Sequence, residues 1–179
     1  MNIISPDFTL NRYNIQVKLV EVKDADFILK LRTDSRLGQF LHDTDNDVEK
    51  QKEWIREYKK RELQGLDYYF IYFHNEVPIG VNRISDIKGE RGTCGSWICQ
   101  KGLSPELPVL TLIILREILF DTLDLKYDYF DVRKHNKKVI RTHLLFDSEL
   151  INEDELSYYY VLSKENFYKH RDNILNMII

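Results

Sequence analysis

One of the five histidines, whose side chains can move a proton near neutral pH, is His143, inside a stretch of helical spacing that runs from Asn136 to Phe146. An imidazole with its ordinary pKa of about 6.5 keeps a protonated fraction there and can donate to a departing anion. The plainer role for such a histidine is to pack one ring edge on the core. Asn136 opens the same stretch at a strand-to-helix junction, where its amide can hydrogen-bond a ligand through both ends or cap the helix that follows. Arg32 ends an earlier helix and suits either a carboxylate or phosphate, or an internal ion pair at the helix C-terminus. Lys134, Lys137, Lys138 and Arg141 can attract a phosphate or simply form a solvated helix face. His42, in the acidic loop Leu41 to Asp47, and His74, at a strand end, are surface residues or pocket liners. Cys94 and Cys99 are too few for a disulfide framework and lack a second Cys/His pair at ligand spacing, so they read as buried thiols and no metal site is expected. No Walker glycine loop, G-x-G-x-x-G, G-x-S-x-G, H-E-x-x-H or paired C-x-x-C occurs.

The hydrophobic pattern supplies the elements that must hold these residues. Ile15, Val17 and Leu19 alternate with polar residues and predict a strand over Asn14 to Val20. Lys23-Asp24-Ala25-Asp26 caps a short helix whose face is Phe27, Ile28 and Leu31, ending near Arg32. The acidic end of the following loop suits the N-terminus of a helix over Val48 to Gln64, with the stripe Trp54, Ile55 and Tyr58. Asp67 to His74 and Val77 to Ile84, joined by Asn75-Glu76, predict a hairpin. After the polar turn Lys88 to Gly92, Thr93 to Cys99 is a strand, with Gly95 where backbone or ligand can approach closely. Glu106 to Leu123 is apolar around most of its cylinder, which marks the most buried helix. Lys126 to Val132 is a strand, Asn136 to Phe146 a helix and Ser157 to Leu162 the last strand; Ser163 to Asn166 then caps a terminal helix reaching Leu175. No composition break, repeat or long linker interrupts the series. It predicts one α/β (α+β) domain over residues 1–179, with a mixed, mostly antiparallel central sheet and helices on both faces.

A chain of 179 residues, 43% hydrophobic, can bury roughly 70% of its extended surface. Its 26 Lys+Arg against 29 Asp+Glu give a net charge of −3, which offers no positive field to nucleic acid or anionic lipid. No apolar run approaches the ~20 residues of a bilayer crossing, and the start MNIISPDFTLNRY lacks a basic segment followed by an apolar one. A soluble, cytoplasmic protein without membrane or nucleic-acid partners is expected. Seven glycines and four prolines exclude collagen-like and linker-rich chains.

The element order resembles that of the GNAT (GCN5-related) N-acetyltransferases over nearly the whole chain, and four local features carry the resemblance. Leu31-Arg32-Thr33-Asp34 resembles the L-R-N-D segment of a branch that includes bacterial amino-sugar and nucleotide-sugar N-acetyltransferases, and Trp54 stands where that branch often has a tryptophan. The hairpin places Pro78-Ile79-Gly80 at the family's P-I-G position. Gly95-Ser96-Trp97-Ile98 resembles the strand whose exposed backbone pairs with pantetheine, and Val132 to His143 resembles V-x-x-x-N-x-x-A-I-x-x-Y/H.

The resemblance implies acetyl-CoA as cosubstrate and direct transfer of acetyl to the amine of a small molecule, an amino sugar or a nucleotide-linked amino sugar. No metal and no covalent enzyme intermediate are implied, and a homodimer is compatible with it. Cofactor contacts are implied at Trp97, Ile98, Leu103, Ser104 and Asn136, with oxyanion donors near Trp97 and Ile98. His143 becomes the catalytic proton donor to sulfur, and Arg32 and Trp54 face the acceptor. It also implies two neighbouring strands that part near mid-sheet, leaving one with unpaired main-chain groups. One motif departs. The family usually carries Q/R-x-x-G-x-G/A before its long helix, where backbone N–H groups cradle the CoA pyrophosphate. This chain has Leu103-Ser104-Pro105-Glu106-Leu107-Pro108, which removes donors and adds an acidic side chain, and Asp147-Ser148 replaces a usual Gly-Phe. The departure supports an alternative, a catalytically degenerate GNAT fold that binds a ligand or partner.

Overall fold

In the computed structural model, which describes residues 2–41 and 44–179, every residue from Tyr68 to Tyr72 is buried. The run is apolar on both sides because its alternate residues face two different cores. Tyr68, Phe70 and Tyr72 join one cluster and Tyr69 and Ile71 the other. The strand they form, β3 (Tyr68–His74), lies in one eight-stranded sheet with β1 (Thr9–Arg12), β2 (Ile15–Leu19), β4 (Val77–Lys88), β5 (Arg91–Cys99), β6 (Tyr127–Arg133), β7 (Glu149–Glu153) and β8 (Ser157–Ser163). The strand order is β1-β2-β3-β4-β5-β6-β8-β7, and every pairing but β5 with β6 is antiparallel.

Among the described residues five α-helices cover the two faces: α1 (Ala25–Thr33), α2 (Val48–Leu63), α3 (Glu106–Glu117), α4 (Lys137–Leu144) and α5 (Lys164–Ile178). Ile28 and Leu31 of α1 and Ile55 and Tyr58 of α2 pack on one side, whereas Ile113 and Ile114 of α3 and Phe167 and Ile174 of α5 fill the other. Asp47 caps α2 by accepting from the Glu49 and Lys50 N–H groups at 2.9 and 3.2 Å, and Ser163 caps α5 through the Asn166 N–H at 3.1 Å. Helix α3 is buried nearly all round, and its C-terminal end continues as a π-helical turn, Ile118–Thr122. Among the described residues no helix is long and apolar enough to cross a membrane.

Two strands were not expected from the sequence, β1 and β7, and both are sheet edges. β7 is exposed along its whole length and β1 nearly so. Apart from Leu10 of β1, which packs partly on the core, neither buries a face, so neither carries an alternating pattern; main-chain pairing to β2 and β8 defines them. The polar turn expected over Lys88 to Gly92 is tighter, because β4 runs to Lys88 and β5 resumes at Arg91, leaving Gly89 at φ 61.

Two irregularities set up the site. The parallel ladder between β5 and β6 consists of Arg91 with Tyr127 and Gly92 with Asp128, after which the strands separate. Across β4, Val81 pairs with Ile98 and Arg83 with Gly95, so Ser96 and Trp97 together oppose Asn82. This is a β-bulge, and Ser96 takes φ 50 within it. A bulge bends its strand and re-aims the local backbone groups.

Candidate active site

The fork opened by β5 and β6 holds a cavity of about 550 Å³, within the range of small-molecule sites. Thr93 to Trp97 line it from β5, Phe130 to Arg133 from β6, and Asn136, Val139 and His143 from α4 and its cap. A second cavity of about 350 Å³ lies against Arg32, Gln51, Trp54 and Tyr69. Arg32, Arg83 and Ser96 line both cavities, so the two meet at the bulge. Past the ladder, the β5 main chain faces the first cavity instead of a neighbouring strand. That arrangement suits an extended ligand able to hydrogen-bond as a strand would.

His143 is only 5% exposed, against Phe130 at a ring-centroid distance of 4.3 Å and Trp97 at 6.2 Å. Its Nδ1 lies 2.8 Å from Nη2 of Arg116, a fully buried side chain of α3. A guanidinium only donates, so Nδ1 accepts and the imidazole proton belongs on Nε2. Burial, and then the Arg116 cation, hold the ring well below its ordinary pKa. The protonated fraction expected at neutral pH is therefore corrected: the environment favours a neutral imidazole. It remains a hydrogen-bond donor through Nε2–H.

Arg116 also donates from Nε to Asp128 Oδ2 at 3.0 Å, and its guanidinium lies over the Phe130 and Phe146 rings at 5.1 and 4.8 Å. Asp128 is the last β6 residue of the two-residue ladder, and its other oxygen accepts the Cys94 N–H at 2.9 Å. Burial pushes this carboxyl up, while Arg116 and the Cys94 N–H pull it back. The cysteines are free; burial raises Cys94 well above its usual range and pushes Cys99 up to about 11. Neither is poised as a nucleophile. Among the described residues no group of His, Cys, Asp and Glu could hold a metal ion.

Trp97 lines the larger cavity, and its indole N–H donates to Thr111 Oγ1 at 3.1 Å. Ile98 is a core residue paired with Val81, beyond the cavity lining. Asn136 combines both readings of its sequence position: it lines the cavity, and Oδ1 accepts the Val139 N–H at 3.4 Å as the α4 cap. Arg32 donates from Nε to Thr44 Oγ1 at 2.7 Å. Trp54 lines the smaller cavity, stacked on Tyr58 at 5.8 Å. Leu103 packs on the core and Ser104 is exposed; neither reaches a cavity. The Ser104 hydroxyl, and then the residue's own N–H, hold the Glu106 carboxyl below its usual range. An anion thus already occupies the start of α3. Lys137, Lys138 and Arg141 are exposed, while Lys134 pairs with Glu153 at 2.7 Å. His74 bonds the Asn14 carbonyl through Nδ1 at 3.1 Å and lines neither cavity; His42 lies outside the described residues.

Sequence reasoning passed over Arg83, Tyr69, Arg116 and Asp128. Arg83 donates from Nε to Asp67 at 2.6 Å and lies over Trp54 at 5.4 Å. The Tyr69 hydroxyl is buried against the smaller cavity, where burial pushes its phenol up against the pull of Arg32 and then Arg83. Arg116 had a signal: a charged residue deep in the apolar run LTLIILREILF must find a buried partner.

No family model matches the sequence, and no curated protein matches it. Solved structures do. The apo structure of FdhC, described as a nucleotide-linked sugar GNAT, superposes with a TM-score of 0.86 at 32% identity, covering 97% of this chain and 99% of that one. A ribosomal-protein-S5-alanine acetyltransferase from Vibrio fischeri gives 0.76 at 14% identity over 90% and 99% of the two chains. The N-acetyltransferase PseH from Campylobacter jejuni gives 0.67 at 19% over 84% and 99%, and its complex with acetyl coenzyme A superposes equally well. The last two establish the fold. With near-complete coverage of a 32% identical GNAT structure, and with β5 and β6 separating beyond Gly92 and Asp128, the chain belongs to the GNAT (GCN5-related) N-acetyltransferase family.

Proposed function

We propose that this protein transfers acetyl from acetyl-CoA to the amine of a nucleotide-linked amino sugar. The observation that carries the reading is the meeting of the two cavities at Arg32, Arg83 and Ser96. An acyl carrier entering the β5–β6 fork and an acceptor entering beside Trp54 would converge on the bulge. The FdhC relative supports the sugar acceptor, and PseH with acetyl coenzyme A supports the carrier. The smaller cavity adds its chemistry: guanidinium groups suit a diphosphate, and the part-exposed Trp54 indole suits a flat ring.

In this reading the pantetheine arm lies along the free edge of β5, and Asn136 orients it. The neutral amine attacks the thioester carbonyl; a C–N bond forms, the C–S bond breaks, and the proton shed by nitrogen ends on sulfur. Backbone N–H groups of the bulge stabilise the developing oxyanion, and Nε2–H of His143 hydrogen-bonds the departing thiolate. His143 stabilises that charge without giving up its proton, because a neutral imidazole is a far weaker acid than a thiol.

Thiol release from acetyl-CoA, measured against nucleoside-diphosphate amino sugars, free amino sugars, spermidine and peptides with free N-termini, tests the reading. The nucleotide-linked sugars are expected to give the highest kcat/KM, and Trp54→Ala to raise their KM more than that of free sugars. His143→Phe should lower kcat with acetyl-CoA affinity nearly intact; unchanged turnover would remove it from the chemistry. A preference for spermidine or peptides would overturn the acceptor class. A thermal shift with CoA but no turnover of any amine would favour a binding protein over an enzyme.

A further inference from the structure

We propose that Asp128 and Arg116 are positioning residues of the active site: Asp128 holds the fork between β5 and β6 open, and Arg116 ties that fork to His143, locking the imidazole with its proton on Nε2. The proposal rests on the reading that His143 faces the thioester sulfur.

The position of Asp128 makes the first half of the case. It closes the two-residue ladder, and two residues further along β5 the Cys94 N–H donates to its side chain instead of to a β6 carbonyl. A carboxylate inserted here satisfies the first β5 donor beyond the ladder while keeping the β6 backbone away from it. Buried main-chain donors are almost always paired, so a side-chain acceptor permits the strands to separate without leaving an orphan at the crotch.

Arg116 makes the second half. Its Nε serves Asp128 and its Nη2 serves His143 Nδ1, from one rigid plane that lies over the Phe130 and Phe146 rings. The remaining Nη1 has no acceptor among the described residues. A planar guanidinium fixes the angle between its two acceptors, so the carboxylate at the fork and the imidazole at the cavity are set by one body. With Nδ1 committed to accept, the Nδ1–H tautomer would face a donor and is excluded. Burial and the adjacent cation disfavour imidazolium as well, which leaves one protonation state of three.

The tautomer can be read without substrate, by nitrogen chemical shifts of His143 in the labelled full chain at pH 7, assigned by its absence in His143→Phe. The expected spectrum has Nδ1 unprotonated and Nε2 protonated in a single form. A single Arg116 variant would strand a buried carboxylate, so the test uses Arg116→Met with Asp128→Leu, which removes both charges and the acceptor of the Cys94 N–H; Arg116→Lys is the conservative partner. In the folded double variant the two tautomers should exchange, kcat should fall by at least tenfold, and amide exchange at Cys94 should quicken. Arg116→Lys, retaining a cationic donor, should recover part of the tautomer preference. A wild-type spectrum with Nδ1 protonated or with mixed tautomers overturns the lock. A folded double variant with unchanged tautomer, kcat and Cys94 exchange overturns the positioning role. If the lock is found but His143→Phe turns over normally, the positioning of His143 stands and its role at sulfur fails.

Discussion

Acidification is a quantitative probe of the neutral, buried His143. In the unfolded chain its imidazole titrates near its ordinary value of about 6.5, whereas in the folded protein burial and then Arg116 hold it well below. Between those values the unfolded state binds a proton that the folded state does not. Stability contributed by this depression is therefore complete above pH ~6.5 and lost as pH falls toward the folded value, at up to about 1.4 kcal/mol per pH unit. Going from pH 7.5 to 5.5 should cost a little over ~1 kcal/mol from this group, or roughly 3 to 5 °C in melting temperature for a chain of this size. Asp128 opposes it, because a carboxyl raised by burial favours the folded state as pH falls. Comparison with His143→Phe separates the two, since Asp128 and the remaining carboxylates are common to both chains. The assay is urea unfolding at pH 7.5, 6.5 and 5.5, read as the wild-type free energy minus that of the variant. That difference should shrink by about 1 kcal/mol or more across the range. Parallel pH profiles would show that His143 titrates normally, and the argument for its neutral, Nε2-protonated state would fall.

Glu106 places a carboxylate at the start of α3, held by Ser104 and its own N–H. Glu106→Gln should tighten acetyl-CoA roughly two- to fivefold at low salt, the scale of an exposed charge at a helix end, as measured by calorimetry, and salt should erase the gain. An unchanged dissociation constant would place the diphosphate elsewhere. Ser96 sits at φ 50 in the bulge. Ser96→Gly should keep acetyl-CoA affinity, whereas the β-branched Ser96→Val should cost ~1–3 kcal/mol in urea unfolding and weaken the cofactor, because Val tolerates a left-handed backbone poorly. Equal stability and affinity in the two variants would show that the bulge conformation is not required.

Much of the scaffold was legible because burial writes periodicity into sequence. The double-sided apolar run of β3, the Asn75-Glu76 turn and the all-round apolar α3 were visible for that reason. The edges β1 and β7 were not, since an exposed strand carries no apolar alternation and is defined by main-chain pairing. At the site, residues of the Val132 to His143 segment and of the Trp97 region line the larger cavity, while the bulge at Ser96 and Trp97 was not expected. What remained hidden were contacts between distant side chains: the Arg116–His143 hydrogen bond joins two helices, and Arg83 reaches Trp54 from another strand. The protonation expected of His143 failed on that account, because spacing shows a histidine but not the buried cation next to it.

Amide hydrogen exchange on the full chain, with and without saturating acetyl-CoA, tests the central claim most directly. If the thioester carrier pairs with the free edge of β5, amides from Thr93 to Ile98 gain protection while those of the distant edge strands β1 and β7 do not. Unchanged exchange across Thr93 to Ile98 at saturating cofactor would contradict the account.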